Sequence, residues 1–232
     1  MDYILKLNCF THEPTTAENL EIIRSSIPSF LSGKRLEHTF SVEREALKLA
    51  EILFPYSGID KKYLSDISAA ALLHDITKYL PEEEHTRILK ENNVDIDCIK
   101  DKSTAILHAK TAPFVAKEKF GINDIVFSAI FNHTTGKENM NIFDKIIFIA
   151  DFIEETRTHK SCILAREYFY NNISTFKDKT EILDKTIIMS LDSTLSYLNE
   201  TGAVVDTDTI KARNFLLAEY ALPSKRTGDK NE

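Results

Sequence analysis

Apolar residues recur at intervals of three and four along most of this chain, a spacing that places them on one face of an α-helix. Between residues 33 and 55 the apolar positions with this spacing include Leu36, Phe40, Leu47, Ala50 and Phe54. Only six glycines and six prolines interrupt the 232 residues. The pattern therefore predicts an all-α fold.

Capping residues, prolines and glycines mark where the predicted helices begin and end. Thr15 and Glu18 have the spacing of a capping box at the start of the first helix. Pro55 is expected to end the second helix and Pro113 to kink the fifth. The predicted helices run from Thr15 towards Pro28, from Gly33 to Phe54, from Asp60 to His74-Asp75, from Pro81 onward, from Ser103 to Phe120, from Asn123 to His133, from Asn141 to Ile153, and in two or three segments between residues 162 and 222.

The helical pattern extends over residues 15–222 with no repeat and no low-complexity segment. We therefore expect one domain, which at this length can bury a substantial core. Residues 1–14 form an N-terminal extension with no assigned role. Residues 223–232 are rich in polar side chains and are expected to form a C-terminal tail.

Charge and cysteine content narrow the functional class. The formal net charge is -7, whereas a protein that binds a nucleic acid polymer usually presents a basic face. An acidic exterior around a small cationic or metal-lined site suits a small phosphorylated ligand better than a long polyanion. The three cysteines are far apart and form neither a disulfide framework nor a zinc knuckle. No segment is typical of a signal peptide or a membrane span, so we expect a cytoplasmic protein without a membrane or nucleic acid partner.

Side chains that could bind a metal are distributed over five of the predicted helices. They are His38, the adjacent His74 and Asp75, His108, His133 and Asp151. Imidazole and carboxylate together suit iron, zinc, manganese or cobalt, and a carboxylate can bridge two ions. Asp151 interrupts the apolar run 146–153, where a carboxylate is costly unless it is paired or bound to a metal. Each residue taken singly also has a structural explanation, as a helix cap or a core histidine. The other histidines stand in polar surroundings and receive no role: His12, His85 and His159.

The order and context of these residues resemble the HD-domain metal-dependent phosphohydrolase superfamily. Within it they are similar to the YqeK branch, which comprises bacterial symmetrical diadenosine tetraphosphate hydrolases. The segments that carry the resemblance are Arg35–Thr39, Leu72–Lys78, Leu107–Ala109, His133–Gly136, Ile149–Glu154 and Asp208–Asn214. One segment departs from the branch, because Glu155-Thr156-Arg157 stands where Pro-Gly-Arg is typical.

This resemblance implies an HD-domain helical bundle with a dinuclear metal centre, for which iron is favoured and manganese or cobalt is compatible. Asp75 would bridge the two ions. The remaining ligands would divide between two positions, with His38, His74 and Asp151 at one and His108 and His133 at the other. A hydroxide held by the metals would attack phosphorus, because metal binding lowers the pKa of water from about 15.7 towards about 7.

The resemblance also implies which residues contact a nucleotide. Asp75 and Lys78 are the expected catalytic residues. The expected substrate-binding residues are Arg35, Lys78, Thr134, Thr135, Gly136 and Arg157. Structural explanations stay open for several of these, since Lys78 could interact with a helix dipole, Arg35 could form an ion pair and residues 134–136 could simply end a helix. Glu154 is expected to accept a hydrogen bond from a ligand histidine.

The implied function is symmetrical hydrolysis of diadenosine tetraphosphate to two molecules of ADP, with this small nucleotide as the partner. Two alternatives stay open. The same ligand set could serve a phosphohydrolase that acts on another nucleotide, or a non-catalytic metal-binding HD module. The sequence does not decide between a monomer and a homodimer.

Overall fold

The computed structural model describes residues 12–94 and 104–221, and these ranges contain ten α-helices and no strand. The helices are α1 (Ala17–Phe30), α2 (Gly33–Ser57), α3 (Leu64–Leu73), α4 (Glu82–Glu91), α5 (Thr104–Phe120), α6 (Asp124–Asn132), α7 (Ile142–Ile153), α8 (Lys160–Asn172), α9 (Lys179–Thr201) and α10 (Thr207–Ala221). A single turn of 3-10 helix, Lys61–Tyr63, precedes α3. The all-α prediction is confirmed.

Parts of the predicted organisation fall outside the described ranges. The structure does not describe residues 1–11 of the predicted extension or the predicted tail, residues 223–232. The predicted start of the fifth helix, Ser103, also lies outside the described ranges. The division into residues 1–14, 15–222 and 223–232 therefore stays a prediction. Within the described ranges, no helix combines the length and the apolar character needed to span a membrane.

Helices α3 and α7 lie at the centre of the bundle. The run from Ile67 to Leu73 in α3 is buried throughout, and its alanines at 69–71 allow the neighbouring α2 and α6 to pack closely. In α7 the run from Ile146 to Ala150 is buried among α2, α6 and α9. The turn that carries Asp75 follows α3 directly, and Asp151 lies on α7. The hydrophobic core therefore fixes where both carboxylates stand.

Local sequence signals set the starts of α6 and α7, as predicted. The Asn123 side chain caps α6 by accepting hydrogen bonds from the amides of Ile125 and Val126. Asn141 and Asp144 form a reciprocal capping box at the start of α7. These caps satisfy amides that have no partner within the helix, so each helix begins at a defined residue.

Two predicted boundaries are wrong. Helix α2 continues through Pro55 to Ser57 and ends at Gly58, whose φ of 66° is left-handed. A proline removes only its own amide donor, and Phe54 beside it is buried in the core, so packing outweighs the lost hydrogen bond. The cap of α1 is Thr16 rather than Thr15. Thr15 instead donates hydrogen bonds from its amide and hydroxyl to buried Asp66.

Candidate metal centre

The six predicted metal ligands come together in one place, although five different helices or helix ends supply them. His38 lies on α2, His108 on α5 and Asp151 on α7, whereas His74 and His133 are the residues at which α3 and α6 end. The four histidines and Asp75 are buried. Asp151 keeps 21% of its side chain exposed. The site is thus a buried cluster that opens towards solvent at Asp151.

Asp75 stands between two groups of histidines. Its Oδ1 lies 2.9 Å from His108 Nε2, and its Oδ2 lies 3.4 Å from His74 Nε2 and 4.0 Å from His38 Nε2. Two sets of donor atoms, each within a span of 4.8 Å, have the arrangement that could hold an ion, namely His38, His74 and Asp75, and Asp75, His108 and His133. The two carboxylate oxygens of Asp75 therefore face different sets.

Asp151 lies beside the first of these sets. Its Oδ1 lies 2.9 Å from His38 Nε2 and 4.0 Å from His74 Nε2. Asp151 also accepts a hydrogen bond from Arg157 Nη2 at 2.6 Å. These charged neighbours explain how a carboxylate is accommodated on an otherwise apolar helix.

Hydrogen bonds at Nδ1 orient three of the four imidazole rings. Nδ1 of His74 donates to the Ala71 carbonyl at 2.6 Å, and Nδ1 of His133 donates to the Ile130 carbonyl at 2.7 Å. Nδ1 of His38 donates to Glu154 Oε1 at 3.0 Å. A neutral imidazole that donates from Nδ1 has a lone pair at Nε2. In His38 and His74 this lone pair is therefore turned towards Asp75 and Asp151.

The surroundings of the Nε2 atoms are better suited to metal binding than to hydrogen bonding between the rings. Nε2 of His38 and of His74 are buried, and their nearest charged neighbours are the carboxylates of Asp151, at 2.9 Å from His38, and Asp75, at 3.4 Å from His74. Nε2 of His108 and of His133 lie only 3.0 Å apart. Imidazole nitrogens that converge beside two carboxylates are the donor set of a transition-metal site.

The pKa shifts of His133, His108 and Asp75 agree with this interpretation. For His38, burial favours a lower pKa, but Asp151 and Glu154 outweigh it and raise the pKa. Burial lowers the pKa of His133 well below its ordinary value, and the nearby rings of His108 and His74 lower it further. Burial also lowers the pKa of His108. For Asp75, burial favours a higher pKa, but His74 and His108 outweigh it and hold the pKa well below the ordinary value. Neutral imidazole and ionised carboxylate are the forms that bind metal.

Three cationic side chains border the cluster. Arg35 Nη1 donates to Asp75 Oδ2 at 2.8 Å, and Lys78 Nζ lies 3.2 Å from both ring nitrogens of His108. Arg157 pairs with Asp151 although its turn differs from the typical Pro-Gly-Arg. All three side chains are partly exposed. They form a positive rim on the accessible side of the cluster.

Residues 134–136, predicted to bind substrate, form the turn after His133. Thr134 is half-buried. Thr135 is buried and accepts a hydrogen bond from Lys110 Nζ at 3.4 Å. Gly136 has a φ of 67°, and a Cβ built on it would lie 3.1 Å from the Cβ of Ala212 on α10. Gly136 thus provides a left-handed helix stop against α10, which is the structural explanation left open by the sequence, and a substrate contact by this turn stays a prediction.

The prediction that His85 lies in polar surroundings is wrong, and its hydrogen bonds belong to a network that reaches the backbone of His108. His85 is buried, with 2% exposure, rather than in polar surroundings. Its Nδ1 donates to Thr111 Oγ1 at 2.8 Å, and the hydroxyl of Thr77, 3.0 Å from that of Thr111, donates to the His108 carbonyl at 3.0 Å. The signal was available, because His85 precedes Ile88 and Leu89 by three and four residues and so shares their apolar face.

Glu154 accepts a hydrogen bond from His38, as predicted. His12, by contrast, lies 3.1 Å from Asp66 and away from the cluster. His159 is exposed at the start of α8. Neither has a place in the candidate centre.

Comparison with known proteins gives consistent matches. The family described as the HD domain matches residues 35–155. A protein of Staphylococcus aureus named bis(5'-nucleosyl)-tetraphosphatase, symmetrical, is 33% identical over 79% of this chain and 91% of its own length. A protein of the same name from Halalkalibacterium halodurans is 32% identical over 82% of this chain and 92% of its own length. The crystal structure of a predicted HD superfamily hydrolase involved in NAD metabolism, from Clostridium acetobutylicum, superposes with a TM-score of 0.73 at 30% identity, covering 86% of this chain and 97% of that one.

Proposed function

The chain belongs to the HD-domain phosphohydrolase family, and from that membership we propose that it hydrolyses diadenosine tetraphosphate symmetrically to two molecules of ADP. The names of the two bacterial relatives support a bis(5'-nucleosyl) tetraphosphate as the substrate and symmetrical cleavage, and the resemblance to the YqeK branch supports adenosine as the nucleoside. The reaction adds one water across the central P–O–P bridge. One half of the nucleotide receives the hydroxyl group, and the other half leaves as a phosphate oxyanion.

The observation that carries the proposal is the placement of Asp75 between the two ligand sets. One of its oxygens faces His108, and the other faces His74 and His38. This is the arrangement expected of a carboxylate shared by two ions. Two divalent metals bound there would supply Lewis acidity, which lowers the pKa of water and offsets charge on the phosphate oxygens. We propose iron as the resident metal, with manganese and cobalt also suited to these donors.

The positive rim supports a polyphosphate substrate. Arg35, Lys78 and Arg157 border the ligand sets from three sides, through Asp75, His108 and Asp151 respectively. We propose that their guanidinium and ammonium groups bind the phosphate oxygens and hold the central bridge over Asp75. Planar guanidinium groups suit this task because they form paired hydrogen bonds to phosphate.

We assign Lys78 to the leaving phosphate in this proposal. Burial lowers the pKa of Lys78, while Asp75 and Asp151 oppose that effect. A charged ammonium in this partly exposed position would stabilise negative charge that develops on the departing ADP. The terminal phosphate of ADP is a good leaving group, so the protein has mainly to position the substrate and neutralise charge.

The test is a nucleotide panel with identified products. The purified protein, loaded in turn with iron, manganese or cobalt, would be given diadenosine tetraphosphate, diadenosine triphosphate, ATP, deoxynucleoside triphosphates and a guanosine tetraphosphate alarmone. We expect diadenosine tetraphosphate to have the highest kcat/KM and to yield two ADP, with chelated protein as the inactive control. ADP release no faster than turnover of the other nucleotides, or ATP and AMP as products, would overturn the substrate assignment.

A further inference from the structure

Arg166 on α8 holds the end of α7, the helix that carries Asp151. Its guanidinium donates hydrogen bonds to the carbonyls of Ile153 and Glu154, and to the carbonyl of Arg157 at 3.0 Å. In the described part of the chain these three carbonyls are the only hydrogen-bond partners of its side chain that the structure defines. The last carbonyls of a helix have no partner within the helix and lie at its negative end. A rigid cationic fork therefore fits this position well.

The turn that Arg166 holds carries side chains that contact two metal ligands. Glu154 accepts the hydrogen bond from His38 Nδ1, and Arg157 pairs with Asp151 at 2.6 Å. Within the turn, Thr156 donates from its amide and from its hydroxyl to the Glu154 carboxylate, both at 2.6 Å. A shift of this turn would therefore move the partners of His38 and Asp151 together.

The turn has hydrogen bonds of its own, from the Arg157 amide to the Glu154 carbonyl at 3.1 Å and from Thr156 to the Glu154 carboxylate, but no residue that fixes its backbone. Residues 154–157, Glu-Glu-Thr-Arg, include neither a proline nor a glycine, and so have no residue that restricts the backbone dihedral angles on its own. The carbonyls of both its first and its last residue are instead tied to one side chain from α8. The side chain of Glu155, in the same turn, points away from the metal ligands: it is exposed and forms an ion pair with Arg44.

We propose that Arg166 is a positioning residue for the metal position formed by His38, His74, Asp151 and the facing oxygen of Asp75. It acts through the turn, by presenting Glu154 to His38 and Arg157 to Asp151. This inference rests on the proposed function only in requiring that the site binds metal, and it does not depend on which nucleotide is cleaved. The second position, formed with His108 and His133, has no contact with the turn among the described hydrogen bonds.

The experiment measures metal binding rather than turnover. Full-length wild type, Arg166→Met and Arg166→Lys would be stripped of metal, and cobalt(II) affinity would be determined by competition with a chelator, together with the visible cobalt spectrum. Arg44→Ala is the matched control, because it removes an arginine that contacts the same turn only through the exposed Glu155 side chain. Far-UV circular dichroism would establish that each variant is folded.

For Arg166→Met we expect an affinity about 10-fold lower for one of two cobalt equivalents, with an altered spectrum, as is typical when the support of a metal ligand is lost. Arg166→Lys keeps the charge but cannot span three carbonyls, so we expect an intermediate affinity. It also serves as the folded variant if Arg166→Met does not fold. Arg44→Ala should match the wild type.

Wild-type affinity and spectrum in folded Arg166→Lys, or an Arg166→Met protein that equals Arg44→Ala, would overturn the positioning role. A cobalt effect in a protein that does not cleave diadenosine tetraphosphate would support the role of Arg166 and reject the substrate. A wild type that binds no cobalt would overturn both.

Discussion

Glu154 shows how one buried side chain can support a metal ligand and stabilise the fold. It is fully buried and receives hydrogen bonds from His38, from the Thr156 amide and from the Thr156 hydroxyl. Burial favours a higher pKa for Glu154, but the hydrogen bonds from His38 and Thr156, together with the nearby Ser41 hydroxyl, outweigh it and lower the pKa from 4.5 to about 2. The carboxylate is therefore ionised in the folded protein at pH values where an unfolded chain would protonate it.

This shift predicts how stability depends on pH. Because folding lowers the pKa of Glu154, its stabilising contribution should be fully present above pH 4.5 and lost as the pH falls towards about 2. Urea unfolding of wild type and Glu154→Gln, in chelator, would be compared between about pH 6 and pH 3. The difference in unfolding free energy should shrink across that range. A difference that stays constant would show that the charge of Glu154 does not contribute.

Residue types identify the side chains that cluster at the candidate centre, but not the residues that support them. The four histidines and two aspartates were identifiable because their order matches a known pattern and because Asp151 interrupts an apolar helix. Arg166 carries no such signal, since its hydrogen bonds go to backbone carbonyls, which every residue offers. Contacts of this kind depend on how two helices pack, and local sequence does not encode them.

At the scale of elements, the turn after α6 is shaped by a close approach to α10. Gly136 is left-handed, and its Cα faces the side chain of Ala212. The α9 helix ends at a similar glycine, Gly202, with a φ of 66° but with nothing within 4 Å of the position a Cβ would occupy. The two glycines therefore separate the cost of a left-handed backbone from the cost of a steric clash.

We expect Gly136→Ala to be more destabilising than Gly202→Ala. Both substitutions place an alanine in a left-handed conformation, at a cost of about 1–2 kcal/mol. Only at position 136 must the new methyl group also push against Ala212, 3.1 Å away, and so displace the turn that follows His133. Urea unfolding measures the difference, and cobalt binding should weaken in Gly136→Ala alone. Equal effects on stability and metal binding would contradict this account.

The helices themselves were largely predictable, whereas two termini were not. Caps such as Asn123 and Asn141 act within a few residues, so the sequence identifies them directly. Pro55 and Thr15 mislead because distant contacts decide the outcome. The core packing of Phe54 carries α2 past Pro55, and the buried carboxylate of Asp66 engages Thr15.

At the scale of the whole molecule, the candidate ligands join segments from residue 38 to residue 151. They come from α2, the end of α3, α5, the end of α6 and α7. Metal ions bound at this point would link five helix segments at the centre of the bundle. Binding to the folded state alone also stabilises it by mass action.

This linkage predicts a large effect of metal removal on thermal stability. At a metal concentration about 100-fold above Kd the folded state gains about 2.7 kcal/mol. For a chain of this size that corresponds to a rise in Tm of about 5–10 °C. Thermal unfolding with metal and with excess chelator measures it. Identical melting temperatures in the two conditions would argue against a metal centre at the core of the bundle.

The most direct test of the central claim is to measure bound metal and turnover of diadenosine tetraphosphate together, in wild type and in Asp75→Asn. Asp75→Asn nearly preserves shape but removes the charge shared by the two ligand sets. We predict two metal equivalents and two ADP per substrate for wild type. For the variant we predict loss of bound metal and at least about 1,000-fold lower kcat/KM, since the metals contribute several kcal/mol. Turnover retained by Asp75→Asn, or wild-type turnover that survives complete chelation, would contradict the account.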